Sequence, residues 1–341
     1  MNSPIQFPDT HISLAHGNGG RRMRELIEKL FARHLANDKL DIQSDAATFK
    51  IPVATDELLI TTDGYTVDPL EFPGGTIGSL AVYGTVNDLA VSGAEPLYMT
   101  LTAFIEEGLE ISVLDRVLNS MANACRECNI AVVAGDTKVL KRGQGGGIYF
   151  STTGVGFRKT VSNLGLKQIK TGDLILLSGT AGDHGTAVML AREQFGLSGT
   201  LHSDAASVLP ITRILMASPG LAFMRDPTRG GIATVMHEIA QACNKTVRLL
   251  ESSIPVHDQV KAVSEILGYD PLFMANEGRV VAVVDPEHAN QSLSALHAGG
   301  YPDAAIIGRI EDGRKHVILE TTIGGERLLE QLEDDPLPRI C

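Results

Sequence analysis

Strand-like apolar runs alternate with helical patterns along nearly all of this chain, which restricts the fold to the α/β or α+β classes. The spacing predicts a helix over Met23 to Leu35, a strand over Glu57 to Thr62 and a helix over Thr76 to Val91 closed by Gly93. A strand over Leu97 to Ile105, a helix over Ile111 to Glu127 and strands over Ile130 to Thr137 and Gly147 to Gly156 follow. In the second half, Asp173 to Ser178 reads as a short buried strand. Helices are predicted at His184 to Gln194, Asp204 to Met216 and Ile232 to Cys243, and strands at Arg279 to Val284, Ala304 to Ile310 and His316 to Glu320. A length of 341 residues suits about two domains. The expected division is an N-terminal domain over 1–160, a C-terminal α/β domain over 161–321 and a flexible tail over 322–341, with mixed sheets and packed helices.

Charge and composition narrow the function. The formal net charge of -12 argues against nucleic acid or an anionic membrane as partner. No apolar run approaches the roughly 20 residues of a spanning helix, and Met1 to Gln6 lacks a basic, then apolar, leader pattern. A cytoplasmic protein is expected. The four cysteines, Cys125, Cys128, Cys243 and Cys341, are expected as free thiols rather than a disulfide framework. Cys125 and Cys128 form a C-x-x-C inside a helical pattern, without a second pair, and read as two small helix residues rather than a zinc or redox site.

Five motifs carry chemistry. His16-Gly17-Asn18-Gly19-Gly20-Arg21-Arg22 precedes a helix and suits either a phosphate cradle or a plain turn, since glycines admit close approach and a helix start offers free N–H groups. Asp45, Asp63 and Asp136 stand near predicted strand ends, where carboxylates can serve Mg²⁺ together with substrate phosphates. Asn87 and Asp88 interrupt an apolar helix, with the small residues Ala81 and Gly84 on the face of Asp88. Arg225-Asp226-Pro227-Thr228-Arg229-Gly230-Gly231 is a second anion-friendly helix start, and Asn276-Glu277-Gly278-Arg279 is a turn before a strand.

The chain ends Pro338-Arg339-Ile340-Cys341 behind the acidic, Pro-broken Glu333 to Leu337. A prenylation signal needs its Cys four residues from the end, so this is not one. It is either an accident of where the chain stops or a swinging thiol. The seven residues from Asp335 span at most roughly 25 Å, enough to reach from a surface into a cleft.

These motifs, in this order and with this terminus, resemble the HypE family of hydrogenase maturation factors. That family lies within the superfamily of aminoimidazole ribonucleotide synthetase, selenophosphate synthetase and thiamine-monophosphate kinase. The resemblance runs from about His16 to Cys341. Its most specific segments are Phe72 to Gly78 with Gly84 to Ala90, Asp226 to Gly231, and the terminal Pro338 to Cys341; only the last marks HypE. Asn18 departs from the family's commonly unbroken glycine run. The resemblance implies a two-domain aminoimidazole ribonucleotide synthetase-like fold, with ATP binding and homodimerisation in the N-terminal domain. It implies a carbamoyl dehydratase that uses ATP and Mg²⁺ to convert a carbamoylated Cys341 to a thiocyanate, the source of cyanide ligands for [NiFe]-hydrogenase iron. Implied partners are the carbamoyltransferase HypF and the iron-carrying HypC–HypD complex. Implied roles are nucleotide binding for His16, Gly17, Asn18, Gly19, Gly20, Asn87, Thr137 and Asp226, and metal binding for Asp45, Asp63, Asp88 and Asp136. The resemblance further implies that Cys341 is the tethered substrate and that Lys138 and Glu277 handle protons or developing charge. The alternatives are a superfamily kinase or synthetase acting on a free small molecule, and a non-enzymatic scaffold.

Overall fold

The computed structural model describes residues 7, 9–17, 21–40, 56–159, 164–192, 200–332 and 340–341. The chain divides into two units: Met1–Leu89 with Glu95–Thr160 and Cys341, and Ala90–Ala94 with Val161–Ile340.

In the first unit a short 3₁₀ turn, Leu14–Gly17, precedes α1 (Arg21–Leu26), a π-helical turn (Ile27–Phe31) and α2 (Ala32–Leu35). Then come β1 (Asp56–Tyr65), β2 (Glu71–Phe72), β3 (Gly75–Thr76), α3 (Ile77–Val91), β4 (Glu95–Glu106), α4 (Ile111–Glu127), β5 (Ala131–Leu140) and β6 (Ile148–Lys159). Four strands form one sheet in the order β1-β6-β4-β5. β4 and β5 are parallel, as strands joined by a crossover helix must be, and the other neighbours are antiparallel. Helix α4 buries Ile111, Leu114, Val117, Leu118, Met121, Ala122 and Cys125, the one-faced spacing of an amphipathic helix. Helix α3 is buried almost all round, through Ile77, Leu80, Ala81, Val82, Val86 and Leu89. Each such large side chain contributes roughly 2 kcal/mol of apolar burial. Strand β1 alternates: Tyr65 points inward to Thr85 and Gly84 of α3, while Leu58 and Ile60 stand 50% and 75% exposed on the other face.

The C-x-x-C residues Cys125 and Cys128 are buried free thiols. Burial pushes the Cys125 thiol up to about 12, which suits a core residue rather than a nucleophile.

The second unit runs β7 (Leu174–Leu177), α5 (Asp183–Arg192), α6 (Leu209–Met216), β8 (Leu221–Arg225), α7 (Gly231–Cys243) and β9 (Thr246–Leu250). It continues α8 (Asp258–Leu267), β10 (Val281–Val284), α9 (Ala289–Ala298), β11 (Ala305–Glu311), β12 (Val317–Glu320) and β13 (Glu326–Leu329). Its sheet has the order β13-β12-β9-β11-β7-β10-β8, parallel only between β9 and β12. Apolar residues of the strands, such as Ile175, Val247, Leu249, Val281 and Ile307, share one core with Ile232, Met236 and Ile239 of α7. Among the described residues, no helix is long and apolar enough to cross a membrane.

Two expectations are corrected. Residues 326–329, read as part of the tail, form β13 and pair with β12. Helix α6 begins at Leu209 rather than at Asp204. The Asp204 carboxylate accepts from Glu277 N and Gly278 N instead of entering the helix, and Pro210 suits only a first helical turn. Strands β8 and β9 and helices α8 and α9 were not expected.

Gly231 opens α7 at φ 60°, and a Cβ there would meet the carbonyl oxygens of Leu272 and Met274 at 2.5 Å. Gly231→Ala is therefore expected to cost about 3 kcal/mol through overpacking against rigid backbone. Urea denaturation checks this, and a loss below about 1 kcal/mol refutes the close approach.

Candidate functional site

Gly17, the first glycine of the Gly-rich motif, is seated on β5. A Cβ on Gly17 would lie 2.8 Å from Val139 Cβ and 3.0 Å from its backbone nitrogen, so only glycine admits this approach. The turn thereby lies one residue from Lys138 along the strand. His16, expected to meet nucleotide, is fully buried. Its Nδ1 accepts from Ser13 N at 3.1 Å, and its Nε2 faces Asp9 at 3.4 Å. Asn18, Gly19, Gly20 and Asp45 lie outside the described residues.

Face and strand order separate the remaining carboxylates into two groups. Asp63 is on β1, and Thr61, two residues earlier on the same face, donates to Asp88 Oδ2 of α3 at 2.6 Å. This inward face of β1 meets α3. Asp136 is on β5, at the opposite edge of the sheet. Asp63 aligns through Thr152 and Leu101 with Gly135, so Asp136, one residue on, points to the other face. Three strand spacings separate the edges, roughly 14 Å. Within one chain, then, a single ion cannot be bound by both groups. Among the described residues, no group of three or more His, Cys, Asp or Glu is placed to hold a metal ion.

Asp136 and Lys138 share the outer face of β5 and form an ion pair at 2.9 Å, both about half exposed. Asp136 also accepts from Thr137 N at 2.8 Å. The Lys138 ammonium holds the Asp136 carboxyl below the usual carboxylate range, against a smaller opposing effect of burial. Thr137 points inward and is buried, as is Asn87 in α3, so neither side chain stands on the outer face with Lys138.

In the second unit, Asn276 joins two of the motifs. Its side chain accepts from Gly182 N at 2.7 Å and donates to Pro227 O and Met274 O, and its own N–H bonds Pro227 O. This ties the loop of Asp226 to that of Glu277, and both carboxylates are buried. Asp204 receives the backbone N–H groups of Glu277 and Gly278, each at 3.2 Å. Arg279 lies between two buried carboxylates, 3.1 Å from Asp183 and 3.6 Å from Asp204. Motif reading missed Asp204, Asp183 and Thr61. Asp183 carries the strand-end signal that exposed Asp63 and Asp136, since it follows β7 across one turn. Asp204 carries no local signal.

The chain end is held in place. Cys341 O accepts from Thr66 N at 3.3 Å, just past the end of the strand that bears Asp63. Ile340 is 3% exposed, and its carbonyl lies 2.8 Å from His184 Nε2.

Family models described as AIR synthase related protein match residues 43–157 (N-terminal domain) and 170–320 (C-terminal domain). The chain is thus an AIR synthase related protein with both domains. Carbamoyl dehydratase HypE of Azotobacter vinelandii is 42% identical over 344 residues, covering 99% of this chain and 100% of its own. A solved structure of hydrogenase maturation protein HypE in complex with ATP superposes with a TM-score of 0.90 at 39% identity, covering 96% of this chain and 99% of that one. A HypE–HypF complex matches with a TM-score of 0.78 at 39% identity, covering 90% and 99%. The chain belongs to the carbamoyl dehydratase HypE family, enzymes of hydrogenase maturation.

The Asp136–Lys138 pair gives a pH signature. With its folded pKa depressed, Asp136 contributes stability above its unfolded pKa, and that contribution is lost as pH falls through the folded value. In Lys138→Ala, the Asp136 titration should move up toward the ordinary carboxylate range. Carboxyl ¹³C NMR titration reads this directly, and an unmoved midpoint means that the pair does not form in solution.

Proposed function

We propose that this protein uses ATP and Mg²⁺ to dehydrate a carbamoyl group carried on its own Cys341 to a thiocyanate. The observation that carries this reading is the held chain end: Thr66 N donates to a main-chain oxygen of Cys341 beside the strand bearing Asp63. A free-substrate kinase or synthetase has no need of such a seat. The ATP complex of a 39% identical relative supports nucleotide binding.

An amide oxygen leaves poorly, and the γ-phosphoryl group of ATP converts it to phosphate. Loss of that phosphate and of both nitrogen protons turns S–C(=O)–NH₂ into S–C≡N, with ADP and phosphate released. The chain must cradle phosphate, position charge against it and accept protons from nitrogen.

The residues fit those tasks. The Gly17 turn on β5 suits a phosphate approaching backbone. Asp63 and Asp88 offer hard oxygen ligands of the kind Mg²⁺ selects, and Asp136 offers another from the opposite edge. Because the two groups stand apart within one chain, we assign them separate cation positions; Asp45 and Asp226 are further ligands in this reading. Lys138, ion-paired to Asp136, is placed to serve as a cation toward transferring phosphoryl oxygens. Glu277, buried and with its backbone fixed by Asp204, serves as the base for the nitrogen protons.

HypF, seen in complex with a relative, is the proposed source of the carbamoyl group. The cyano group is proposed to pass to iron on the HypC–HypD complex, as a cyanide ligand of [NiFe]-hydrogenase. A homodimer is proposed through the outer face of the four-stranded sheet, where Ile60 is 75% and Leu58 50% exposed on an edge strand.

Two experiments test these readings. Intact mass after incubation with ATP, carbamoyl phosphate and HypF should show a carbamoyl adduct on Cys341 that then loses water. Cys341→Ala should bind nucleotide but take no adduct, whereas Lys138→Ala and Glu277→Gln should take it and lose water at least 100-fold more slowly. An adduct on the Ala variant, or normal dehydration in the other two, refutes the assigned roles. Sedimentation should find Ile60→Asp monomeric and the parent dimeric; a dimeric variant removes this face as the interface.

A further inference from the structure

The tail is gripped one residue before its thiol. Ile340 is nearly fully buried, and its carbonyl oxygen lies 2.8 Å from His184 Nε2 in the first turn of α5. A carbonyl can only accept, so Nε2 must carry a hydrogen. The other ring nitrogen, Nδ1, lies 2.8 Å from Ser203 Oγ. Ser203 Oγ itself accepts from Ala205 N at 3.0 Å, which leaves the serine hydroxyl hydrogen to point at Nδ1. Each bond in the series Ala205 N–H, Ser203 O–H, His184 N–H thus donates toward the tail. Burial lowers the pKa of His184, with the charge of Asp204 opposing, so the imidazole is neutral near pH 7 and keeps this single tautomer.

None of these contacts touches the reacting group. A grip on the backbone and apolar side chain of residue 340 is the same whether Cys341 bears a thiol, a carbamoyl group or a thiocyanate. Such binding does not favour a transition state over its ground state. It acts on the fraction of time that the tethered end is docked rather than released.

We propose that His184, oriented by Ser203, is a positioning residue that latches the C-terminal end through the Ile340 carbonyl and thereby sets the balance between docked and released Cys341. This rests on the tethered-substrate reading above. Docking serves dehydration and release serves carbamoylation by the partner, so loosening the latch should move the two in opposite directions. A general loss of structure lowers both.

The test is the rate at which iodoacetamide alkylates each cysteine of the full chain, read by peptide mass spectrometry. It needs neither ATP nor partner, so its outcome stands apart from that of the dehydration reading. His184→Leu should accelerate labelling of Cys341 on the order of tenfold, the worth of one buried hydrogen bond. Labelling of Cys125, Cys128 and Cys243 should not change. His184→Gln, whose amide can again donate to the carbonyl, should return Cys341 toward the parent rate, and Ile340→Ala should release it. An unchanged Cys341 rate in His184→Leu overturns the latch, as does acceleration at all four cysteines, which shows a packing role instead. Should His184→Leu fail to fold, Ser203→Ala, which removes only the orienting hydroxyl, is read by the same criteria.

Discussion

The buried amide of Asn276 is the interaction on which the second unit's candidate site depends. It accepts from one loop, donates to a second and to its own, and has no exposure to water that could replace those bonds. A buried amide left unsatisfied costs more than a surface contact gains, so the three loops are held together or not at all. Through it, Asp226 and Glu277, fifty-one positions apart in sequence, become one local structure. Asp204 and Arg279 extend the same logic to charge. Burying the Asp183 and Asp204 carboxylates is tolerable because Arg279 meets both and backbone N–H groups also donate to Asp204.

In the first unit the constraint is the sheet. Its order, β1-β6-β4-β5, puts the strand from the end of the domain between the first strand and the middle pair. That insertion carries Asp63 and Asp136 to opposite edges, and the alternation of side chains along a strand sends them to opposite faces. A strongly acidic chain proposed to bind a polyphosphate needs cations between its carboxylates and that ligand. Two separated groups of carboxylates, one of them already paired to Lys138, answer that need differently from a single cage. The exposed apolar residues of β1 lie on the same sheet, which couples the arrangement of the carboxylates to whatever covers that face.

Much of the architecture was legible in the residues. Helix α4 occupies Ile111–Glu127 as its apolar spacing predicts, because one buried stripe and one wet face leave a clear period. Helix α3 was legible for another reason: its apolar residues are nearly continuous, so Asn87 and Asp88 stood out against them. β13 was hidden because a four-residue edge strand with three exposed positions resembles a polar tail. The Asp204 segment resembled a helix start, since an Asp before an apolar run is also how helices are capped; only its backbone donors elsewhere decided otherwise.

By itself the sequence determined the alternating layers, the chemical types at the strand ends and the family, since glycines, carboxylates and a terminal thiol in that order are a local record of what the chain can bind. Only the tertiary structure decided which of those groups meet. Asp88 pairs with Thr61, Lys138 with Asp136, and the chain end with Thr66 and His184, while Asp63 and Asp136 stay apart. The physical reason is that strand order, register and the seating of a tail are set by contacts between distant residues, and a periodicity read along the chain carries no record of them.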